Sequence, residues 1–199
     1  MRMMVRAIAL LSCVASLAPG LSGQQASPVR ARDLGIPFSG ITGRYNAITD
    51  VPGVEVGYST LIQGTGPWKR GEGPIRTGVT VVLPKGKTDA LYNAGYFIFN
   101  GDGEMTGLPY LHDYGRSGGP IGITNTNSVG VVRDAIGMWL HERFGDGSPS
   151  DFSFGLPVVG ETWDGFLNEI NGVHVKPAHV FAALNGAAGG RIAEGSVGG

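Results

Sequence analysis

The feature that most constrains the fold is a series of short apolar runs, each of strand length and each followed by glycine, proline or a polar cluster. Alternating or β-branched runs of this length predict strands. One longer stretch has helical spacing instead, and another begins at a proline and ends at a glycine, as helices often do. Strands are predicted at 54–58, 76–84, 96–99, 156–159 and from 120 into the polar residues 124–127, and helices at 129–144 and 177–186.

The composition allows one domain with a hydrophobic core, since the chain has 199 residues of which 42% are hydrophobic. Its 35 glycines follow no fixed period, which predicts tight turns and close backbone approaches rather than a fibrous repeat. The formal net charge is −1, without a long run of like charge. Such a sequence lacks the cluster of basic residues that binding to nucleic acid or an anionic membrane requires. We therefore expect a small neutral or locally charged ligand.

The first 23 residues have the pattern of a secretory signal peptide. Arg2 and Arg6 precede an apolar run, and small residues close the segment. The apolar run is too short to remain as a membrane-spanning anchor. The sequence therefore predicts export to the periplasm or the extracellular space.

The only cysteine, Cys13, lies within this segment. Residues 10–13 also resemble a bacterial lipoprotein box, which leaves lipidation as an alternative. Cleavage near Gly23 would remove the cysteine and leave no thiol for a disulfide, a nucleophile or a metal site. Residues 24–43 are predicted to form an exposed arm, and residues 44–199 the folded domain.

The strand at 156–159 stops at Gly160, so Glu161 and Trp163 are predicted to emerge at a strand end, where functional groups often lie. A carboxylate two residues from an indole can hold a cationic group, such as an ammonium ion, in a partly apolar pocket. The alternative is that Glu161 is a solvated turn residue and Trp163 a core aromatic. Beyond them, the apolar residues of 166–170 have the spacing of a short amphipathic helix.

The glycine-rich turn at 100–107 lacks the features of a phosphate-binding loop. It has no Gly-Lys-Ser/Thr ending, its glycines are out of register for a dinucleotide site, and Asp102 and Glu104 would repel an anion. Two interpretations of Glu104 remain open. It is either a carboxylate that shapes a pocket or a surface charge at a loop or helix start.

Four polar residues at 124–127, Thr-Asn-Thr-Asn, lie where a strand meets the N-terminus of a helix, with Asn127 or Ser128 as the expected cap. Their side chains either donate to a substrate oxygen or satisfy buried backbone groups. The four histidines show no pair at helical ligand spacing, so no metal site is predicted.

Six blocks of sequence together resemble one family, the DmpA-type aminopeptidases, which include L-aminopeptidase/D-esterases and β-peptidyl aminopeptidases. The blocks follow the family's order, and the chain resembles the family's amino-terminal half. They are residues 48–57, 76–84, 103–107, 124–135, 157–165 and 167–172.

The resemblance implies an α+β fold, an αββα sandwich similar to that of the N-terminal nucleophile hydrolases, incomplete at the C-terminus. It also implies a precursor that cuts itself ahead of a serine, whose amine and hydroxyl then act as base and nucleophile. By the same resemblance, Glu161 holds the amine of the substrate and Trp163 forms a wall of the side-chain pocket. Glu104 and Asn125 are neighbours of the site. The serine is expected beyond Gly199, so no catalytic residue is expected in this chain.

The partners that the resemblance implies are a small peptide, aminoacyl amide or ester, the protein's own C-terminal β chain after self-cleavage, and further copies in a homo-oligomer. No cofactor is implied. A hypothesis from another class is a secreted module that binds an amine or a peptide without chemistry.

Overall fold

The computed structural model describes residues 29–199, which belong to two units. Residues 29–36, the described part of the first unit, form a hydrogen-bonded turn in which the Asp33 N–H donates to the Arg30 carbonyl over 2.9 Å. The predicted signal peptide and Cys13 lie outside the described residues. The limits predicted for the arm and the domain stay predictions.

The second unit, residues 37–199, contains the helices and strands of the described residues. Its strands are short, as the sequence predicts, and its main helices follow the last two strands of the larger sheet. The elements are β1 (Glu55–Gln63), β2 (Ile75–Leu83), β3 (Leu91–Asn93), α1 (Leu108–Tyr114), β4 (Arg116–Gly118), β5 (Ile121–Thr124), α2 (Val129–Phe144), β6 (Val158–Glu161) and α3 (Pro177–Gly186). Among the described residues, no helix has the length and apolar content needed to cross a bilayer.

Four strands form one sheet in the order β1-β2-β5-β6, and β3 pairs with β4 in a separate two-stranded sheet. The pairs β1-β2 and β2-β5 are antiparallel, whereas β5 and β6 are parallel. A parallel pair needs a crossover connection, and α2 supplies it. The register places Glu161 opposite Thr124, so the last residue of β6 lies next to the junction between β5 and α2.

The core lies between one face of this sheet and the helices, with α3 on β1 and β2 and with α2 on β5 and β6. The predicted apolar face of 129–144 is buried, which confirms that prediction. Valines of the central strands meet aliphatic and aromatic side chains of the helices there. The principal residues are Val79, Val81, Val159, Val132, Ile136, Trp139, Leu140, Val180 and Leu184.

The opposite face of the sheet is only partly covered. Ile62 is 57% exposed there, and residues 195–199 run across β1, β2 and β5, where the Gly198 N–H donates to the Thr60 hydroxyl over 2.8 Å. One helical layer against one sheet is half of an αββα arrangement. The α+β class predicted from the resemblance is confirmed.

The strand predicted at 96–99 is wrong. These residues are irregular, and Phe97 and Phe99 are 86% and 90% exposed. The two-stranded sheet of β3 and β4 pairs residues 91–93 with residues 116–118 instead. Within the part of the chain that the structure describes, the apolar run 96–99 has no strand beside it, and an alternating pattern alone does not form a sheet.

The helix predicted at 166–170 is also wrong. The Leu167 and Asn168 N–H groups both donate to the Asp164 carbonyl, which closes a turn. The next amide, of Glu169, donates to the Pro74 carbonyl over 2.8 Å, so a contact with a distant loop replaces the next helical hydrogen bond. Only the short 3₁₀ helix Ile170–Gly172 follows.

We expect Gly57→Ala to destabilise the second unit by about 1–3 kcal/mol, the usual cost of overpacking. A Cβ at Gly57 would overlap the Ala183 carbonyl oxygen and lie 3.0 Å from the Ala187 Cα, and backbone atoms of α3 cannot yield as a side chain can. The matched control is Gly130→Ala in α2, where a Cβ meets nothing within 4 Å. That change should stabilise by about 0.5–1 kcal/mol. Denaturant unfolding measures both, and equal effects would contradict the close approach.

Candidate functional site

The backbone of β6 brings the two predicted carboxylates together. β5 pairs with one edge of β6, and residues 104–106 run antiparallel along the other edge. The Glu161 N–H donates to the Glu104 carbonyl over 3.1 Å, and the Thr106 N–H donates to the Val159 carbonyl over 3.0 Å. Glu104 and Glu161 therefore lie on adjacent segments although they are far apart in sequence.

An open cavity of about 770 Å³ lies over this edge of the sheet. Three of its lining side chains are carboxylates, and among the described residues that line it none is basic. The indole of Trp163 adds an aromatic face, which attracts cations as well. The cavity thus has the charge and the size to hold an ammonium group. Its lining is Gly101, Asp102, Gly103, Glu104, Thr126, Glu161 and Trp163.

Trp163 is not a core residue, since it is 56% exposed. Its indole lies over Gly165, where a Cβ would overlap the ring, and contacts the Phe166 ring edge to face at 4.7 Å between centroids. The same side chain also lines a second cavity of about 390 Å³ on the open face of the sheet, which includes Ile62 and Leu167. Trp163 therefore forms a wall shared by an acidic cavity and a more apolar one.

The polar residues at 124–127 have mainly structural contacts. The Thr124 hydroxyl donates to the Gly78 carbonyl over 2.7 Å, and the Asn127 amide donates to the Ile170 carbonyl over 3.2 Å. Ser128 is the N-cap residue of α2 by position, but its side chain makes no capping hydrogen bond. For Thr124 and Asn127, the interpretation that they satisfy backbone groups is the one that the contacts support.

Asn125 and Thr126 differ in their access to the acidic cavity. Asn125 is 1% exposed, donates through Nδ2 to the Thr77 hydroxyl over 2.7 Å, and does not line the cavity. Its contact with substrate stays a prediction. Thr126 does line the cavity, and its buried Oγ1 has no hydrogen-bond partner among the described residues. In the sequence, Thr126 cannot be distinguished from its polar neighbours.

Sequence reasoning also missed a buried polar pair next to the site. Asn168 and Glu169 are 1% and 2% exposed. The Glu169 carboxylate accepts the Gly71 N–H at 2.8 Å and lies 3.2 Å from His174 Nε2. A buried carboxylate requires such partners. His174 is only five residues from Glu169 in sequence, but Gly71 is 98 residues away, and no local sequence pattern predicts the contact with Gly71.

The Gly71 N–H holds the pKa of Glu169 below its ordinary value, and the contact with His174 acts in the same direction. Burial opposes this shift, since desolvation disfavours the charged form. The net direction is downward. Glu169 is therefore a carboxylate that the folded protein stabilises in its ionised form.

A second cluster of catalytic residue types is not a triad. His141 Nδ1 lies 3.1 Å from the Ser153 hydroxyl and 3.3 Å from Asp151 Oδ2, so both partners contact the same nitrogen. A nucleophile and an orienting carboxylate must contact opposite nitrogens of the imidazole. Within residues 29–199, no group of three or more His, Cys, Asp or Glu side chains is arranged to hold a metal ion.

Solved structures place this arrangement in a known class. The fold matches an L-aminopeptidase D-Ala-esterase/amidase from Ochrobactrum anthropi, with a TM-score of 0.78 and 45% identity over 86% of this chain and 48% of the other. That protein is described as a new variant among the Ntn hydrolase fold. A Burkholderia β-aminopeptidase matches with a TM-score of 0.76 and 46% identity, over 85% of this chain and 46% of the other. The chain thus has the Ntn hydrolase fold that the sequence resemblance implied.

The chain belongs to peptidase family S58, whose model matches residues 46–199. It is similar to a β-peptidyl aminopeptidase from Sphingosinicella microcystinivorans, at 55% identity over 171 residues. The match covers 85% of this chain and 42% of that protein, so the chain spans less than half the length of its relative. The resemblance to the DmpA-type family is confirmed, and the hypothesis of a non-catalytic binding module is not favoured.

We expect acid to weaken the fold partly through Glu169. A carboxylate whose pKa is lowered by folding stabilises the folded state above its unfolded pKa, and this stabilisation is lost as pH falls through the folded pKa. The loss should therefore begin near the ordinary value of 4.5 and continue below it. Glu169→Gln should remove this part of the pH dependence.

The measurement is the unfolding midpoint as a function of pH. Asp151 also has a lowered pKa, so the variant keeps a reduced slope and the difference from the parent is the informative quantity. Glu142→Gln, at an exposed position of α2, is the control and should leave the slope unchanged. Parallel curves for Glu169→Gln and the parent would contradict the assignment.

Proposed function

We propose that the whole protein is a serine aminopeptidase that releases N-terminal residues from peptides, amides or esters with a free amine. The observation that carries the proposal is the acidic cavity at the end of β6. Glu161, Glu104 and the Trp163 indole surround it, and no basic side chain of residues 29–199 lines it. Membership of peptidase family S58 supports the reaction class. The similar proteins are aminopeptidases, which supports a substrate with a free N-terminal amine.

In this proposal the Glu161 carboxylate accepts hydrogen bonds from the substrate ammonium. Glu161 is half-buried and fixed through its own N–H, so it is the better positioned of the carboxylates. Glu104 and Asp102 are exposed and raise the local negative potential. Trp163 borders the space for the first side chain. With these contacts, the substrate would bind with its amine inside the cavity and its scissile carbonyl outside it.

We further propose that the nucleophile is a serine outside residues 29–199, exposed by self-cleavage. Its hydroxyl would attack the scissile carbonyl while its own amine accepts the proton, the leaving amine or alcohol would take that proton, and water would release the acyl group. Two observations support this location. The matched relative is more than twice the matched length, and residues 195–199 run along the open sheet face to contact Thr124, the strand partner of Glu161.

The remaining polypeptide of the whole protein is the proposed partner for that open face. It would cover side chains such as Ile62, which is 57% exposed, with a second sheet. Export and assembly into a homo-oligomer stay proposals that rest on the amino-terminal sequence and on the family resemblance. Neither is needed for the assignment of the amine site.

We expect Glu161→Gln in the whole protein to lower kcat/KM for substrates with a free amine by about tenfold to a hundredfold. A hydrogen bond to a charged group contributes about 1.5–3 kcal/mol, and 1.36 kcal/mol is a factor of ten. N-acetylated versions of the same substrates lack the ammonium, so the variant should change their already low turnover little. Steady-state kinetics on aminoacyl amides measures both.

Glu142→Gln on the exposed side of α2 is the matched control for the loss of one surface carboxylate. It should behave as the parent protein with every substrate. Equal losses on free and acetylated substrates would overturn the amine role of Glu161, and unchanged kinetics would do so as well.

We expect residues 24–199 produced alone to release no amino acid from a simple aminoacyl amide and to aggregate, because an apolar sheet face stays open. Co-production with the rest of the protein should restore both solubility and turnover. Light scattering and product release are the measurements. Turnover by residues 24–199 alone would contradict the proposed location of the nucleophile.

A further inference from the structure

We propose that Asp164 and Asn168 are positioning residues that fix the Trp163 indole and thereby set which N-terminal side chains the site accepts. This inference rests on the proposed function for its substrate and on the contacts below for its mechanism. Neither residue lines the acidic cavity, whereas Asp164 lines the second cavity on the open sheet face. Both act through the indole that they hold.

Asn168 connects the turn after Trp163 to the central sheet. Its Nδ2 donates to Asp164 Oδ1 over 2.9 Å, and its Oδ1 accepts the Arg76 N–H at 3.1 Å. The Asn168 N–H also donates to the Asp164 carbonyl over 3.1 Å. Because Asn168 is 1% exposed, water does not compete for these bonds. The residue next to Trp163 is therefore tied to the start of β2.

Glu169 anchors the same segment on its far side. Its carboxylate accepts the Gly71 N–H and contacts His174, and its own N–H donates to the Pro74 carbonyl over 2.8 Å. The loop before β2 thus holds Glu169, and Arg76 at the start of β2 holds Asn168. The turn at Asp164 is therefore held by buried hydrogen bonds of Asn168 and Glu169, although Trp163 and Phe166 in it are exposed.

Trp163 itself has few contacts that would fix it. It is 56% exposed, and its ring partner Phe166 is 86% exposed. Gly165 leaves room for the indole against the backbone, because any Cβ there would displace the ring. The turn conformation, rather than core packing, therefore determines where the indole stands between the two cavities. A change in the Asp164–Asn168 hydrogen bond should move this wall.

The test uses a reversal of that hydrogen bond in the whole protein. Asn168→Asp keeps an acceptor for the Arg76 N–H but sets a carboxylate against Asp164. Asp164→Asn on top of it restores a donor, since the amide introduced at 164 can donate to the carboxylate introduced at 168. The double variant should recover what the single variant loses. Asp134→Asn, an exposed aspartate of α2, is the control for the charge change.

The readout is the KM for aminoacyl amides with a large or a small N-terminal side chain. We expect Asn168→Asp to change the ratio of the two KM values by about tenfold, the scale of a modest change in pocket shape, with kcat on the small substrate unchanged. The double variant should return the ratio to that of the parent. A loss of kcat on both substrates, or a ratio that the double variant does not restore, would overturn the positioning role.

A second measurement separates this inference from the proposed function. In protein labelled with 5-fluorotryptophan, the ¹⁹F resonance that disappears in Trp163→Phe belongs to the indole. Asn168→Asp and Gly165→Ala should both shift it, and the double variant should return it. An unshifted resonance in Asn168→Asp overturns the positioning role. A parent protein without turnover overturns the proposed function, and the fluorine shifts then decide the positioning alone.

Discussion

The pairing of β6 on both of its edges is the constraint on which the site depends. The parallel partner β5 places Glu161 opposite Thr124, and the antiparallel segment 104–106 places Glu104 beside it. Backbone hydrogen bonds of a sheet have a fixed register, and a slip of one residue would turn Glu161 to the other face. The geometry of the acidic cavity is therefore set by main-chain bonds rather than by contacts among the carboxylates, which would repel one another.

The second determinant is the buried polar pair Asn168 and Glu169. Burial of an amide and a carboxylate costs free energy unless each polar atom is bonded, and here each residue contacts the loop or strand start at 71–76. The same contacts explain why residues 166–170 are not helical, because the Glu169 N–H donates to the Pro74 carbonyl and not to a carbonyl within a helix. Side chains that a helix would have buried, Phe166 and Leu167, are consequently exposed beside Trp163.

The sequence predicted local structure well where neighbours along the chain determine it. Strands at 54–58 and 76–84 and the helix from 129 to 144 are confirmed, because alternation and helical spacing indicate a buried face. The strand predicted at 156–159 lies two residues later, at Val158–Glu161, so Gly160 and Glu161 belong to it. The run at 96–99 has the same alternation but no partner strand among the described residues. Glu161 and Trp163 were predictable as a strand end and from the family resemblance. Thr126 and Asn168 were not, because their roles depend on segments that meet only in the fold.

The exposure of the cavity has a consequence for how strongly it can recognise an amine. Glu161 is half-buried and Trp163 is 56% exposed, so an ammonium ion bound to residues 29–199 alone would stay largely solvated. An exposed ion pair contributes about 0–1 kcal/mol, whereas a hydrogen bond to a charged group away from water contributes about 1.5–3 kcal/mol. Discrimination for a free amine thus requires groups that exclude water from the cavity. Trp163 lines both this cavity and the cavity on the open sheet face. In the proposed function, a layer over that face would therefore exclude water from one side of the indole that borders the amine site.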